Sequence, residues 1–266
     1  MEDRGLPAYV AEFIGTLLLV LFIGSILSTA TGLGVTDWAV IGLLHVFVLA
    51  MLIATLGGTS GAHFNPAITV ALAGARKIKP PDAVIYIVLQ LAGAIVGALI
   101  VKLIFKDEGS GSYGTPSVSD KWLQGKNLSG MFVEMVGTFA LVWAVFGAAV
   151  NVRAERGWAP WIIGGTLGAM VMCFGPLTGA GFNPARSIGP AIVAGSPDWS
   201  QLIVTYTIGP IIGGVLAWVA YTAIALTQQE RLFGGRLVDT DVPAGRVEGA
   251  LEGAETPGER PIDKLS

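Results

Sequence analysis

Two asparagines and one arginine stand out in this sequence for what their types and settings can do. Asn65, Pro66 and Ala67 follow the glycine-rich stretch GGTSGAHF, and Asn183, Pro184 and Ala185 follow GPLTGAGF. Asparagine is a good helix N-cap and proline is favoured at the first helical position, so each triplet marks a helix start. A helix N-terminus presents unsatisfied N–H donors and about half a positive charge. Such ends, with their asparagine amides, are sets of donors for a polar partner; simple capping is the other use of each asparagine. Arg186 is the only charged residue between Gly157 and Pro197. An arginine in so apolar a setting is costly and marks a functional position by default, unless it snorkels to a surface. Its guanidinium offers fixed donors and no acceptor.

Other chemistries lack their parts. One cysteine, Cys173, excludes an internal disulfide framework and a cysteine metal site, and the two histidines, His45 and His63, leave little for zinc. Isolated glutamates and two histidines make no recognisable catalytic set, and nothing calls for a cofactor. A net charge of −3 without a basic block gives no footprint for nucleic acid.

The elements that must position these residues are membrane helices. The chain has 266 residues, 53% hydrophobic and 13% charged, against about 25% charged in a typical soluble domain. Of its 35 charged side chains, 13 lie after Thr227, so the body is more apolar than the average. Six stretches lack Asp, Glu, Lys and Arg: 13–36, 38–75, 83–101, 135–152, 157–185 and 199–229. Each approaches or exceeds the roughly 20 residues that span a bilayer, and none shows the alternation of a membrane barrel. Glu12 and the length of the first run argue against a cleaved signal peptide.

The second and fifth runs are long enough for a full span, a return loop and a new helix beginning at Asn65 or Asn183. From Asn65 a helix can run only to about Ala75 before Arg76 and Lys77, roughly 15 Å at 1.5 Å per residue. It reaches halfway across, which is tolerated where backbone is buried in protein or lines a water-filled cavity.

The halves repeat. EFIGTLLLV from Glu12 matches EMVGTFALV from Glu134 at an offset of 122, the triplets lie 118 apart, and QLAGAIVG from Gln90 matches PIIGGVLA from Pro210 at 120. Each copy is span, span, half-helix, span; three crossings invert the second copy. The two half-helices would then enter from opposite faces and meet at the midplane. The fold expected is an all-α membrane protein, six transmembrane helices plus two re-entrant half-helices in an inverted repeat. Its domain would cover 1–227, with repeats at about 9–105 and 129–227, and a polar, disordered cytoplasmic tail at 228–266. Arg76, Lys77, Lys79, Arg153, Arg156, Arg231 and Arg236 fall on one side, so the positive-inside rule puts both termini in the cytoplasm, and the setting expected is the plasma (cell inner) membrane.

Paired Asn-Pro-Ala motifs, the second extended to NPARS, and a Glu-x-x-Gly-Thr start in each half resemble the major intrinsic protein family of aquaporins and glycerol facilitators, over about Tyr9 to Thr227. The resemblance implies a passive channel for water and small neutral solutes, assembled in the bilayer as a homotetramer with one pore per subunit. It implies that the asparagine pair orients water and excludes protons and cations. Counting from the two motifs, it gives His45, Val171, Ala180 and Arg186 as the selectivity filter, and makes Glu12 and Glu134 acceptors for the half-helix loops, a proton relay being the alternative. His63 would brace its loop or line the pore. Cys173 would pack away from the pore.

This quartet departs from the family's commonest patterns. Histidine takes the usual aromatic place, and Val171 and Ala180 are small and apolar, a set that looks like plant tonoplast-type channels. Ser187 and Ala191 lean towards the water-channel branch, whereas Thr207 stands where that branch has tryptophan. The expectation is a water channel that also passes glycerol, urea, ammonia or hydrogen peroxide. A channel mainly for glycerol or other solutes is the alternative, and a coupled secondary transporter a distant one. Small residues at Gly93 and Gly97, and at Gly209 and Gly213, are read as close helix contacts.

Overall fold

A computed structural model describes residues 5–34, 36–106, 112–195 and 197–233, with side chains as far as 225. It divides into two units, Met1–Ala223 and Ile224–Ser266. The first holds everything described below. In the second, only the helical continuation to Phe233 is described, so the expected tail at 228–266 otherwise lies outside the described residues.

Among the described residues the regular secondary structure is all helical. Full-length helices are α1 (Leu6–Gly32), α2 (Trp38–Ser60), α4 (Pro80–Phe105), α6 (Asn127–Val145) and α7 (Ala159–Thr178). A single turn, α5 (Asp120–Leu123), precedes α6, which ends in a π turn, Phe146–Val150. The sixth span combines α9 (Trp199–Ile203), a π turn at Val204–Ile208 and α10 (Gly209–Phe233). These make the six helices long and apolar enough to cross a membrane. Between them lie the two expected short helices, α3 (Pro66–Gly74) and α8 (Pro184–Ala194). At nine and eleven residues they amount together to about 30 Å, one hydrocarbon thickness.

Helix ends follow local chemistry. Asp37 caps α2 by accepting from the Ala39 and Val40 amides, and α2 and α7 stop at Gly61 and Gly179, both in the left-handed region. Glycine reaches that conformation at no steric cost, and each chain reversal delivers the backbone to an Asn-Pro-Ala triplet.

Close helix contacts then pack the halves. A Cβ on Gly93 would run into the Phe13 carbonyl and one on Gly97 into the Leu17 carbonyl, so α4 lies directly against the α1 backbone. In the second half, Gly209 and Gly213 make the same approach to the Met131 and Met135 carbonyls of α6. Between the halves, Gly42 on α2 meets Gly168 on α7, where an added Cβ would lie 2.6 Å from the Gly42 carbonyl oxygen. Lipid is as apolar as the helix surface, so such small-residue contacts, which let backbones touch, carry the association.

Candidate functional site

The two loops before the triplets share an unusual backbone. Ala62, Phe64, Ala180 and Phe182 all have φ between 47° and 52°, a region uncommon for residues with a Cβ and costly to hold. The costs are offset by two fully buried carboxylates. Glu12 accepts the amides of His63 (2.9 Å) and Phe64 (2.7 Å), together with the Ser60 hydroxyl and the Gln90 side-chain amide. Glu134 accepts the amides of Gly181 (2.9 Å) and Phe182, and the Thr178 hydroxyl. These amides would otherwise be buried donors without partners, each a loss of about 1–3 kcal/mol.

The Glu-x-x-Gly-Thr motif acquires a physical reason here. One turn beyond each glutamate, the glycine makes room for the aromatic ring that precedes the asparagine. A Cβ on Gly15 would enter the Phe64 ring, and one on Gly137 the Phe182 ring. Tyr86 and Tyr206 complete the brace by donating to the carbonyls of Ser60 (2.9 Å) and Thr178 (2.7 Å). Sequence reasoning did not single out Ser60, Thr178, Phe64, Phe182, Tyr86 or Gln90 for this work. Aligning SGAHFNPA with TGAGFNPA would have revealed the first four as repeated positions.

Each asparagine caps its own half-helix and also bonds the opposite loop. The Asn65 side-chain oxygen accepts from the Ala67 amide, and that of Asn183 from the Ala185 and Arg186 amides. Each side-chain amide reaches across: Asn65 Nδ2 donates to the Phe182 carbonyl (2.9 Å) and Asn183 Nδ2 to the Phe64 carbonyl (2.8 Å). The half-helices therefore meet N-terminus to N-terminus. Since each amide nitrogen carries two hydrogens, one per asparagine remains after the crossed bond.

A narrow cavity runs beside this junction, lined by Asn65, Asn183, His45, His63, Ala180 and Arg186 and by apolar side chains including Leu19, Ile23, Ile68, Leu141 and Leu167. Its volume is about 30 Å³, room for roughly two waters at ~10–15 Å³ each. Arg186 is 2% exposed. Its Nη1 donates to the Gly114 carbonyl at 2.7 Å, while Nε and Nη2 have no partner within the protein. His45 directs Nδ1 at the Ile41 carbonyl (2.8 Å). A carbonyl can only accept, so Nδ1 carries the hydrogen and the acceptor nitrogen Nε2 is left for the cavity side.

Three members of the expected quartet, His45, Ala180 and Arg186, line this cavity. Val171 is buried in the same apolar cluster as Leu167 and Ala180 but is not among the lining residues. It lies one helical turn beyond Leu167, so the lining face of α7 is the expected one, reached a turn earlier. His63 combines its two readings, since it lines the cavity while Nδ1 contacts the Thr69 hydroxyl at 3.1 Å and its ring meets Tyr86 edge-on. Cys173 is exposed and off the wall. Among the described residues no three His, Cys, Asp or Glu side chains group as metal ligands. What the arrangement offers is a set of donors from Asn65, Asn183 and Arg186 beside apolar side chains on one cavity.

Comparison with known proteins gives a family and a likeness of fold. Residues 3–221 match the family described as Major intrinsic protein. An aquaporin, AqpM, of Methanothermobacter marburgensis is 37% identical over 234 residues, covering 80% of this chain and 94% of its own. Aquaporin TIP2-3 of Zea mays is 36% identical over 231 residues, covering 83% and 88%. The X-ray structure of the aquaglyceroporin from Plasmodium falciparum superposes with a TM-score of 0.72 at 20% identity, covering 84% of this chain and 98% of that one, a likeness of fold.

Proposed function

The chain belongs to the major intrinsic protein family, and from that premise we propose that it is a passive membrane channel for water that also passes small neutral solutes. One observation carries this reading: Asn65, Asn183 and Arg186 line one cavity about two waters in size, and two guanidinium nitrogens of Arg186 have no partner within the protein. Asn65, Pro66, Ala67, Asn183, Pro184 and Ala185 form the pore centre, where two helix N-termini favour a solute's oxygen and disfavour a cation. His45, Val171, Ala180 and Arg186 form the filter, with His45 supplying an acceptor and Arg186 donors. Small groups at Val171 and Ala180 leave the constriction wide for glycerol, urea, ammonia or hydrogen peroxide. Glu12, Glu134 and His63 hold the loops.

The protein works as a homotetramer in the bilayer with one pore per subunit. Its setting is the plasma (cell inner) membrane with both termini cytoplasmic, an orientation that the Lys and Arg placement supports. A channel domain at 1–227 carries a polar tail at 228–266.

Stopped-flow light scattering on proteoliposomes tests the function. Water permeability is expected to rise well above that of empty vesicles, and solute gradients rank glycerol, urea and the rest. Vesicles no more permeable to water than protein-free ones overturn the proposal. Replacing His45 by Phe should reduce solute flux more than water flux; equal losses would contradict its place in the filter.

A further inference from the structure

The arginine on the cavity wall is fastened to the protein at a single point outside its own helix. Its Nη1 donates to the Gly114 carbonyl, so the orientation of the guanidinium, whose Nε and Nη2 are buried without a partner, depends on where Gly114 is held. Gly114 is not in a helix. It belongs to the connection between α4 and α5, with φ +84°, and its neighbour Tyr113 has φ +46°. The two are the central residues of a turn closed by the Thr115 amide, which donates to the Ser112 carbonyl at 2.7 Å, and beyond that bond the turn depends on its neighbours.

Three contacts clamp it. Gly114 rests on α1, where an added Cβ would lie 2.9 Å from the Gly24 Cα. The Tyr113 side chain is 6% exposed, packed with Val20, Val101, Ala185 and Val193; Ala185 and Val193 belong to α8, the helix that carries Arg186. Lys102, in the last turn of α4, sets Nζ 5.4 Å above the centre of the Tyr113 ring and donates to the Val193 carbonyl at 3.3 Å. One ammonium therefore ties the connection that holds the arginine's far end to the C-terminal turn of the helix that holds its backbone. An ammonium over an aromatic face, and one at a helix C-terminus, are both favourable placements.

We propose that Lys102 and Tyr113 are positioning residues of the filter: through the Gly114 carbonyl they fix the Arg186 guanidinium, and so set how strongly neutral solutes are discriminated from water. Neither side chain is among those lining the cavity, so they act on selectivity only through Arg186. The proposal rests on Arg186 being a filter residue.

Glycerol and water permeabilities, both per unit of reconstituted protein, test it across a set of variants. Arg186→Ala is the reference and should raise the glycerol-to-water ratio. Lys102→Met keeps the stem without the charge, and Tyr113→Leu removes the ring. Each should raise the ratio in the same direction, by roughly two- to fivefold, the size of one lost cation–π contact. Lys102→Arg and Tyr113→Phe keep cation and ring and should restore the wild-type ratio, which a merely structural role would not require. Lys102 is exposed, so its variants carry the test even where Tyr113→Leu does not fold. An unchanged ratio in Lys102→Met beside a raised one in Arg186→Ala overturns the positioning role. The same follows if Lys102→Arg behaves like Lys102→Met. If Arg186→Ala itself leaves the ratio unchanged, the filter reading has failed instead.

Discussion

Asn65 and Glu134 illustrate how much one side chain does in this fold. Asn65 caps its own helix through its oxygen and bonds the opposite loop through its amide. Asn65→Asp keeps the cap but exchanges the donor for a negative charge, which would cancel part of the positive potential of the paired helix ends. Cation conductance measured in planar bilayers should therefore rise while the helix remains; conductance equal to wild type would show that the amides are not the barrier. Glu134→Gln exchanges an acceptor oxygen for a donor, so either the Gly181 or the Phe182 amide loses its partner. A loss of about 1–3 kcal/mol is expected, read as a lower thermal unfolding temperature in detergent. Because both carboxylate oxygens are used, the carboxylate is a brace and a proton-relay role is not needed to explain its burial. The glutamates could be read from sequence because a carboxylate in an apolar run is conspicuous. Their partners could not, since backbone amides leave no mark in composition.

At the scale of elements, the glycines decide how near the helices come. Gly97 presses α4 onto α1, and Gly213 does the same for α10 and α6. Gly97→Val would put two methyl groups where the Leu17 carbonyl stands and force the helices apart, an overpacking that costs about 1–3 kcal/mol or more. Lower folded yield and a reduced melting temperature should follow. Gly58→Ala in α2 is the control, for an added Cβ there meets nothing within 4 Å; a loss equal to that of Gly97→Val would mean that close approach is not the cause. The four-residue spacing of these glycines was legible beforehand, and so was the start of each half-helix, because a cap residue and proline act locally. Counting along α7 puts Val171 on the same helical face as Leu167, which lines the cavity one turn earlier; how near each level comes to the cavity depends on how α7 crosses α2.

For the molecule as a whole, the two copies are held together where their half-helices meet. The half-helices are locked to each other by crossed asparagine bonds and to the full-length helices by buried carboxylates. Water flux should accordingly follow the osmotic gradient alone, equal in both directions and unchanged when proton and sodium gradients are dissipated in proteoliposomes. A flux that saturates or collapses with the ion gradient would favour a coupled transporter. By itself the sequence determined the membrane class, the six spans, the inverted repeat, the two half-helices and the lone arginine. All of these follow from local rules: the span length that lipid demands, the cap that a helix start requires and the cost of a charge in an apolar run. Only the tertiary structure decided which donors are consumed and which remain. The asparagines keep one hydrogen each, Arg186 keeps Nε and Nη2, and Gly114, remote in sequence and without a side chain, fixes the guanidinium. Hydrogen bonds between distant backbone groups depend on position in space, and the order of residues carries that only after the chain has folded.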